Sequence, residues 1–195
     1  MNRQTFFNEI RSTLFSGRLT QSQIDGMNFK LTAWVQSGLT DIRWLAYMLA
    51  TVFHETGKKM IPIEEYGKGR GKTYGQKLKH NHKPYTWPDK LYYGRGDVQL
   101  TWYENYELMG KLLGIPLLEQ PELALVPEIS AKIMIEGMTK GKSNRGDFTG
   151  VSLENYFNAT KDDPVNARRI INGLDKAKLI EGYHNRFLSA IKKAS

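Results

Sequence analysis

The stretch DIRWLAYMLATVFHETG, Asp41 to Gly57, decides how this chain is read. Asp41 suits a helix cap, and Ile42, Leu45, Leu49, Val52 and Phe53 recur on one face of the helix that follows. Trp44, Met48 and Thr51 form a second stripe roughly 100° or more around the same cylinder. A helix apolar on two sides is a buried one. Glu55 falls in register with the second stripe, near the last turn before Gly57. A carboxyl group beside Trp44, Met48 and Thr51 would be partly desolvated, which raises its pKa and suits it to a general acid. The alternative is a surface residue on a fraying helix end.

Helical spacing continues on both sides. Phe6, Phe7, Ile10 and Leu14 mark a first helix, and TQSQ (Thr20–Gln23) fits a capping box. That box would open a helix carrying Ile24, Met27, Leu31 and Trp34 to a stop at Gly38. Further helices are expected at Leu108 to Gly114, at Ile129 to Gly137, around Leu153, Tyr156 and Phe157, and from Val165 to Gly173. A last one, from Asp175, carries Ile180, Tyr183, Phe187 and Ile191. Between Gly57 and Gly96 the pattern breaks into glycines, tyrosines and three prolines, which predicts a long loop with, at most, short strands. Loops of that length inside a compact domain are usually functional. The fold class is therefore mainly α with one long, basic, aromatic loop, and a single domain over 1–195 is expected, with helices of residues 1–40 packed on it.

The 195 residues contain no cysteine, which excludes disulfides, thiolate metal sites and cysteine nucleophiles. Arg3, Glu9 and Arg11 interrupt the apolar core that a secretory signal would need, so no signal peptide is expected. The longest apolar run, Trp44 to Phe53, is about half the length that crosses a bilayer. The net charge of +8 is concentrated: Tyr66 to Gly96 holds eight basic residues against Asp89 alone, a net +7. Such a segment suits anions of any kind, or is a solvated loop.

Two motifs fail on spacing. HETGK has Lys58 where a metalloprotease helix needs its second histidine, and GKT (Gly71–Thr73) has Tyr66 where a phosphate-binding loop needs glycine. His80 and His82 have no carboxylate cluster beside them, so neither a metal nor any other cofactor is expected.

The stretch YYGRGDVQLTWYENY, Tyr92 to Tyr106, presents Gln99, Thr101, Trp102, Asn105 and Tyr106, a mixture of amide, hydroxyl and aromatic groups. Sugars are bound by that chemistry, amides pairing with hydroxyl and acetamido groups while rings cover apolar faces. Together with HETG and PIEEYG, in this order along the chain, the stretch resembles glycoside hydrolase family 19, the family of plant-type chitinases and of many phage and prophage endolysins. The resemblance is nearest to the bacterial and phage branch and extends over nearly the whole chain, through RWLAYMLATVFHET to NARRIINGLDKAKLIEGY.

That resemblance implies a lysozyme-like helical fold and inverting cleavage of a β-1,4 bond next to an N-acetylated sugar. It implies Glu55 as general acid and Glu65 as general base, with the neighbouring Glu64 as the alternative base, and Thr101 holding the attacking water. His54, Gln99, Trp102, Asn105 and Asn172 would bind substrate, with Tyr93 and Arg95 shaping the cleft. An inverting pair works about 6.5–9.5 Å apart, one carboxyl protonated and one ionised. The lysine-rich loop is expected to favour the ionised form of Glu65. The acid-to-base loop is shorter than in plant chitinases, which implies a more open cleft and favours a bulkier, peptide-bearing glycan.

The expected function is hydrolysis of peptidoglycan glycan strands by a monomeric, muramidase-like endolysin, made in the host cytoplasm and acting on the periplasmic wall after release. Its basic surface could also touch the anionic envelope, and no nucleic acid is expected. A chitinase with the same catalytic residues is the alternative within the fold, and a non-catalytic basic binding protein is the alternative outside it.

Overall fold

The computed structural model describes residues 1–195 and holds six helices: α1 (Arg3–Thr13), α2 (Gln21–Ser37), α3 (Ile42–Glu55), α4 (Tyr103–Leu113), α5 (Pro127–Met138) and α6 (Ala177–Ala194). Strands are limited to an antiparallel pair of two residues each, β1 (Ile63–Glu64) and β2 (Arg95–Gly96), with Ile63 opposite Gly96 and Glu64 opposite Arg95. The fold class is mainly α, as the periodicity predicts.

The helix starts follow their side chains. Asn2 accepts the Thr5 N–H, Thr20 and Gln23 close a reciprocal capping box, and Asp41 accepts the Arg43 N–H at 3.0 Å. α3 is buried at every residue from Leu45 to Phe53, so both apolar stripes have partners. α6 forms its most extensive neighbour and α1 packs against α6, while α2 lies on α5. Phe53 stands at the junction, its ring meeting Phe15, Tyr183 and Phe187 edge-on.

Two expected helices are replaced by short 3-10 turns, Leu153–Asn155 and Asn166–Ile170. Each opens with contacts of the kind that cap a helix start, yet the chain continues for only a short turn. Asn155 accepts the Ser152 N–H, and Asp163 accepts from both the N–H and the amide of Asn166. α5 also runs past its expected stop at Gly137. That glycine serves packing: a Cβ there would lie 1.9 Å from the Phe148 ring, which sits where a side chain would be.

The long loop is tied down in several places. The β1–β2 pair closes its ends, a 3-10 turn spans Thr73–Gln76, and a hairpin is bridged between Leu78 and Pro84. The deepest tie is an ion pair. Lys30 of α2 and Asp97, just after β2, meet at 2.6 Å with both side chains 0% exposed. Lys30 also donates to the Met60 carbonyl at 3.0 Å, and the Asp97 N–H donates to Ser130 of α5. Burial pushes the Lys30 ammonium down and the Asp97 carboxyl up in pKa, and each charge offsets the other's penalty.

Lys30→Met is expected to lower unfolding free energy by about 3–5 kcal/mol, because it strands a buried carboxylate. Lys30→Met combined with Asp97→Leu should recover most of that loss in urea titrations; a double variant as unstable as the single would show that the charges matter through something other than each other.

His184 of α6 gives a second handle. Its ring is buried between Tyr47 and Phe157, and burial pushes its pKa down from 6.5 to about 4. Between those values the unfolded chain binds a proton that the folded chain refuses, so stability is full above pH 6.5 and falls as pH drops toward 4. The loss amounts to about 3 kcal/mol. His184→Phe is expected to flatten that part of the stability-against-pH curve; an unchanged slope would place the acid sensitivity elsewhere.

Candidate active site

The α3 helix ends where the cleft begins. Thr56, its C-cap, donates its hydroxyl to the Val52 carbonyl at 2.7 Å and accepts the Met60 N–H at 3.0 Å, turning the chain away just after Glu55. Glu55 therefore stands at the last helical position, at the edge of a cavity of about 790 Å³. Gln99, Thr101, Trp102, Asn105 and Asn172 line the same cavity. Six of the expected site residues, scattered from 55 to 172, are thus brought together.

The surroundings of Glu55 differ from the apolar enclosure expected of it. Met48 and Thr51 are buried in the core, and the Trp44 indole donates to the Phe157 carbonyl instead. The carboxyl, 16% exposed, accepts a hydrogen bond from Arg168 at 2.7 Å, and that guanidinium is itself 3% exposed. Arg168 is held from behind by the Asp175 carbonyl at 3.0 Å. The stripe on α3 does not enclose the carboxyl; its partner is a charge that arrives from 113 residues further along the chain.

The two loop carboxylates point to different places, as successive residues of an extended segment must. Glu65 accepts from the Tyr74 hydroxyl at 3.0 Å and from the Gly94 N–H at 3.1 Å. Tyr74 lines the cavity, so Glu65 is attached to its wall. Burial and the bond to Glu65 push the Tyr74 phenol up to about 12. Glu64 accepts instead from Tyr93 at 2.8 Å and pairs with Lys68 at 3.3 Å. The Tyr93 bond, helped by Lys68, holds the Glu64 carboxyl below the usual range. The electrostatic help expected from the lysine-rich loop thus falls on Glu64, while Glu65 is held by a phenol and a backbone N–H.

Tyr93 and Arg95 are not in the cleft. Both are buried, with the Arg95 guanidinium 3.6 Å from the centre of the Tyr93 ring. Arg95 donates to the Leu91 carbonyl at 3.0 Å and to the Tyr106 hydroxyl at 3.1 Å, and Tyr106 donates to the Tyr93 carbonyl. They shape the cleft by bracing its loop. His54 is half-buried, does not line the cavity, and has its pKa lowered by burial.

Gln99 takes a left-handed backbone conformation, φ 53°, and donates to the carbonyls of Ile63 and Gly96. Its amide oxygen packs so closely on Gly94 that a Cβ there would lie 2.7 Å away. Thr101 donates to the Gln99 carbonyl at 2.8 Å, and Asn105 donates to the Thr101 carbonyl at 2.9 Å. Sequence reasoning missed several wall residues. Tyr74 and His80 set their rings edge-on to Trp102, with centroids 5.4 and 5.0 Å away, and Glu104 accepts the His80 N–H at 2.9 Å. Phe148 and Thr149 face them from the other side of the chain. The aromatic loop composition was a signal for the first pair; nothing marked the others.

Residues 34–173 match the family model described as chitinase class I, glycoside hydrolase family 19. The chain is 35% identical over 125 residues to an endochitinase of Arabidopsis thaliana, covering 60% of this chain and 41% of that one. It is 34% identical over 137 residues to chitinase 4 of Oryza sativa subsp. japonica, covering 66% and 47%. The chain thus spans somewhat under half the length of these relatives. Among solved structures it is similar to a bacterial family 19 chitinase, with TM-score 0.65 and 22% identity over 97% of this chain and 94% of that one. It is also similar to chitinase C from Streptomyces griseus, with TM-score 0.59 and 23% identity over 99% and 76%. Those two likenesses concern the fold.

The Glu55–Arg168 pair is open to direct measurement. Arg168→Met and Glu55→Gln each strand a partly or fully buried charge, so a double-mutant cycle in urea is expected to give a coupling of about 1–3 kcal/mol. Additive effects would mean that the two groups are neighbours without being partners.

Proposed function

This chain belongs to the class I chitinase family, glycoside hydrolase family 19, and we propose that it hydrolyses β-1,4 bonds of bacterial peptidoglycan by inversion, with Glu55 as general acid and Glu65 as general base. The observation that supports this reading is that Glu55 lines the cleft beside Thr101 while Glu65, itself outside the lining, is hydrogen-bonded to the lining residue Tyr74.

In this mechanism Glu55 gives its proton to the glycosidic oxygen as the bond to the anomeric carbon breaks. Arg168, 2.7 Å away, stabilises the negative charge then left on the carboxyl. A water held by Thr101 attacks the opposite face of the sugar and loses its proton to Glu65. Thr101 spends its own hydrogen on the Gln99 carbonyl, which leaves its lone pairs to accept from that water. Glu65 has two donors already, and its remaining lone pairs are free for the proton. The Gln99 oxygen, the Asn105 amide and the exposed Asn172 remain for the acetamido and hydroxyl groups of the sugars, and Trp102 offers a ring for an apolar face. The biological setting in this reading is lysis of a host cell by an endolysin, made in the cytoplasm and acting on the wall after release.

A second substrate is favoured by one observation: the relatives described above are named as an endochitinase and a chitinase. Chitin would use the same catalytic groups, so the choice depends on the cleft walls.

Mass spectrometry of fragments released from purified peptidoglycan, after borohydride reduction, is the deciding experiment. Disaccharide-peptides ending in reduced N-acetylmuramic acid are expected; cleavage of a chitin oligomer with no sugar release from peptidoglycan would overturn the peptidoglycan reading. Glu55→Gln and Glu65→Gln should each lower turnover about 10²–10⁴-fold, and Glu64→Gln no more than about threefold. Full activity in Glu55→Gln would refute the mechanism.

A further inference from the structure

The basic loop divides into cations that the fold uses and cations that it leaves free. Arg95 is buried in the loop brace, Lys68 pairs with Glu64, Lys77 pairs with Asp89, and Lys79 lies over the Tyr103 ring at 4.3 Å. Arg70, Lys72, Lys83 and Lys90 are exposed and in no ion pair. Of these, Lys72 and Lys83 lie in the chain next to residues that line the cleft. Lys72 precedes the turn that carries Tyr74, and the Lys83 carbonyl accepts the Lys79 N–H in the hairpin that carries His80. A second lining segment repeats the arrangement. Arg169 and Lys176, also exposed and in no ion pair, flank the lining residues Ile171, Asn172 and Gly173, with one exposed carboxylate, Asp175, among them. The Arg169 carbonyl accepts from the cleft residue Thr149 at 2.7 Å, which fixes that segment to the wall.

The cleft therefore has Glu55 and Glu104 on its lining, and exposed cations in the chain beside two of its lining segments, its two banks. A neutral polysaccharide has nothing to offer free cations on two sides. A glycan with an uncharged backbone and acidic branches matches both layers. We propose that the two banks bind the carboxylates of the peptides attached to the glycan, so that this protein selects peptide-bearing strands; the inference rests on the peptidoglycan reading above. Contacts of this kind, exposed to water, weaken as salt screens them.

The test uses cosedimentation of a Glu55→Gln protein with purified sacculi free of phosphate-containing wall polymers, either intact or with their peptide carboxylates converted to amides by carbodiimide and excess ammonia. In that background, Lys72→Glu with Lys83→Glu, and the same pair with Arg169→Glu, are compared; the neutral pair Lys72→Gln with Lys83→Gln guards against an effect of reversed charge on folding. Affinity for intact sacculi is expected to fall at least tenfold with charge reversal, less with the neutral pair, and severalfold as salt rises from about 50 to about 300 mM. Affinity for the amidated sacculi should be lower, and little changed by any of the variants. Equal binding to both materials, or equal loss on both, would overturn the proposal. Release of reducing ends by the unsubstituted protein, recorded on the same sacculi, reports separately on the peptidoglycan reading: no release with active chitin cleavage would sink that reading, whatever the binding shows.

Discussion

The Lys30–Asp97 pair is the contact on which the working half of the molecule depends. Two opposite charges are taken wholly out of water at 2.6 Å, and the same two residues engage the Met60 carbonyl and Ser130. Four separate segments are thereby fixed to one point: α2, the turn after α3, the loop beyond β2, and α5. A buried pair of this kind adds little net stability, because desolvation consumes much of the attraction, but it tolerates few alternative geometries. Its value here is positional. Asp97 lies two residues before Gln99 and four before Thr101, so the cleft's polar wall begins at the anchor.

From that anchor the wall is assembled by short-range polar contacts. Arg95 braces the preceding residues against Tyr93 and Tyr106, and Gln99 ties β1 and β2 together through their carbonyls. Such contacts leave little room for the loop to drift, although it has almost no regular secondary structure. Precision of this sort matters for chemistry between two carboxylates, since small displacements of reacting groups cost large factors in rate.

Electrostatically the cleft differs from what a lysine-rich loop suggests. Two of the loop lysines are spent on Glu64 and Asp89, whereas Glu55 draws its cation from Arg168 and Glu65 has a phenol and an N–H. The net +7 of residues 66–96 is thus not a uniform field over the reacting centre. It is divided between internal pairing and free charge at the banks.

The helices were legible because their causes are local. Capping side chains, glycine stops and a 3.6-residue apolar period act within a few positions, so α1, α2, α3, α4 and α6 could be read from neighbours alone. The two failures, near 153 and 166, are places where capping contacts of Asn155 and Asp163 form but only a short 3-10 turn follows. The roll of polar and aromatic residues from Gln99 to Asn105 was also legible, as a composition suited to sugar. What no local reading could supply is where long side chains end. Arg168 and Glu55 are 113 positions apart, Lys30 and Asp97 are 67 apart in the numbering, and the separate tasks of Glu64 and Glu65 depend on whether Tyr93 or Tyr74 stands opposite. Sequence determined which elements form and which chemistry they carry; the tertiary structure alone decided which charges meet, because a buried charge is settled by the partner that packing brings to it.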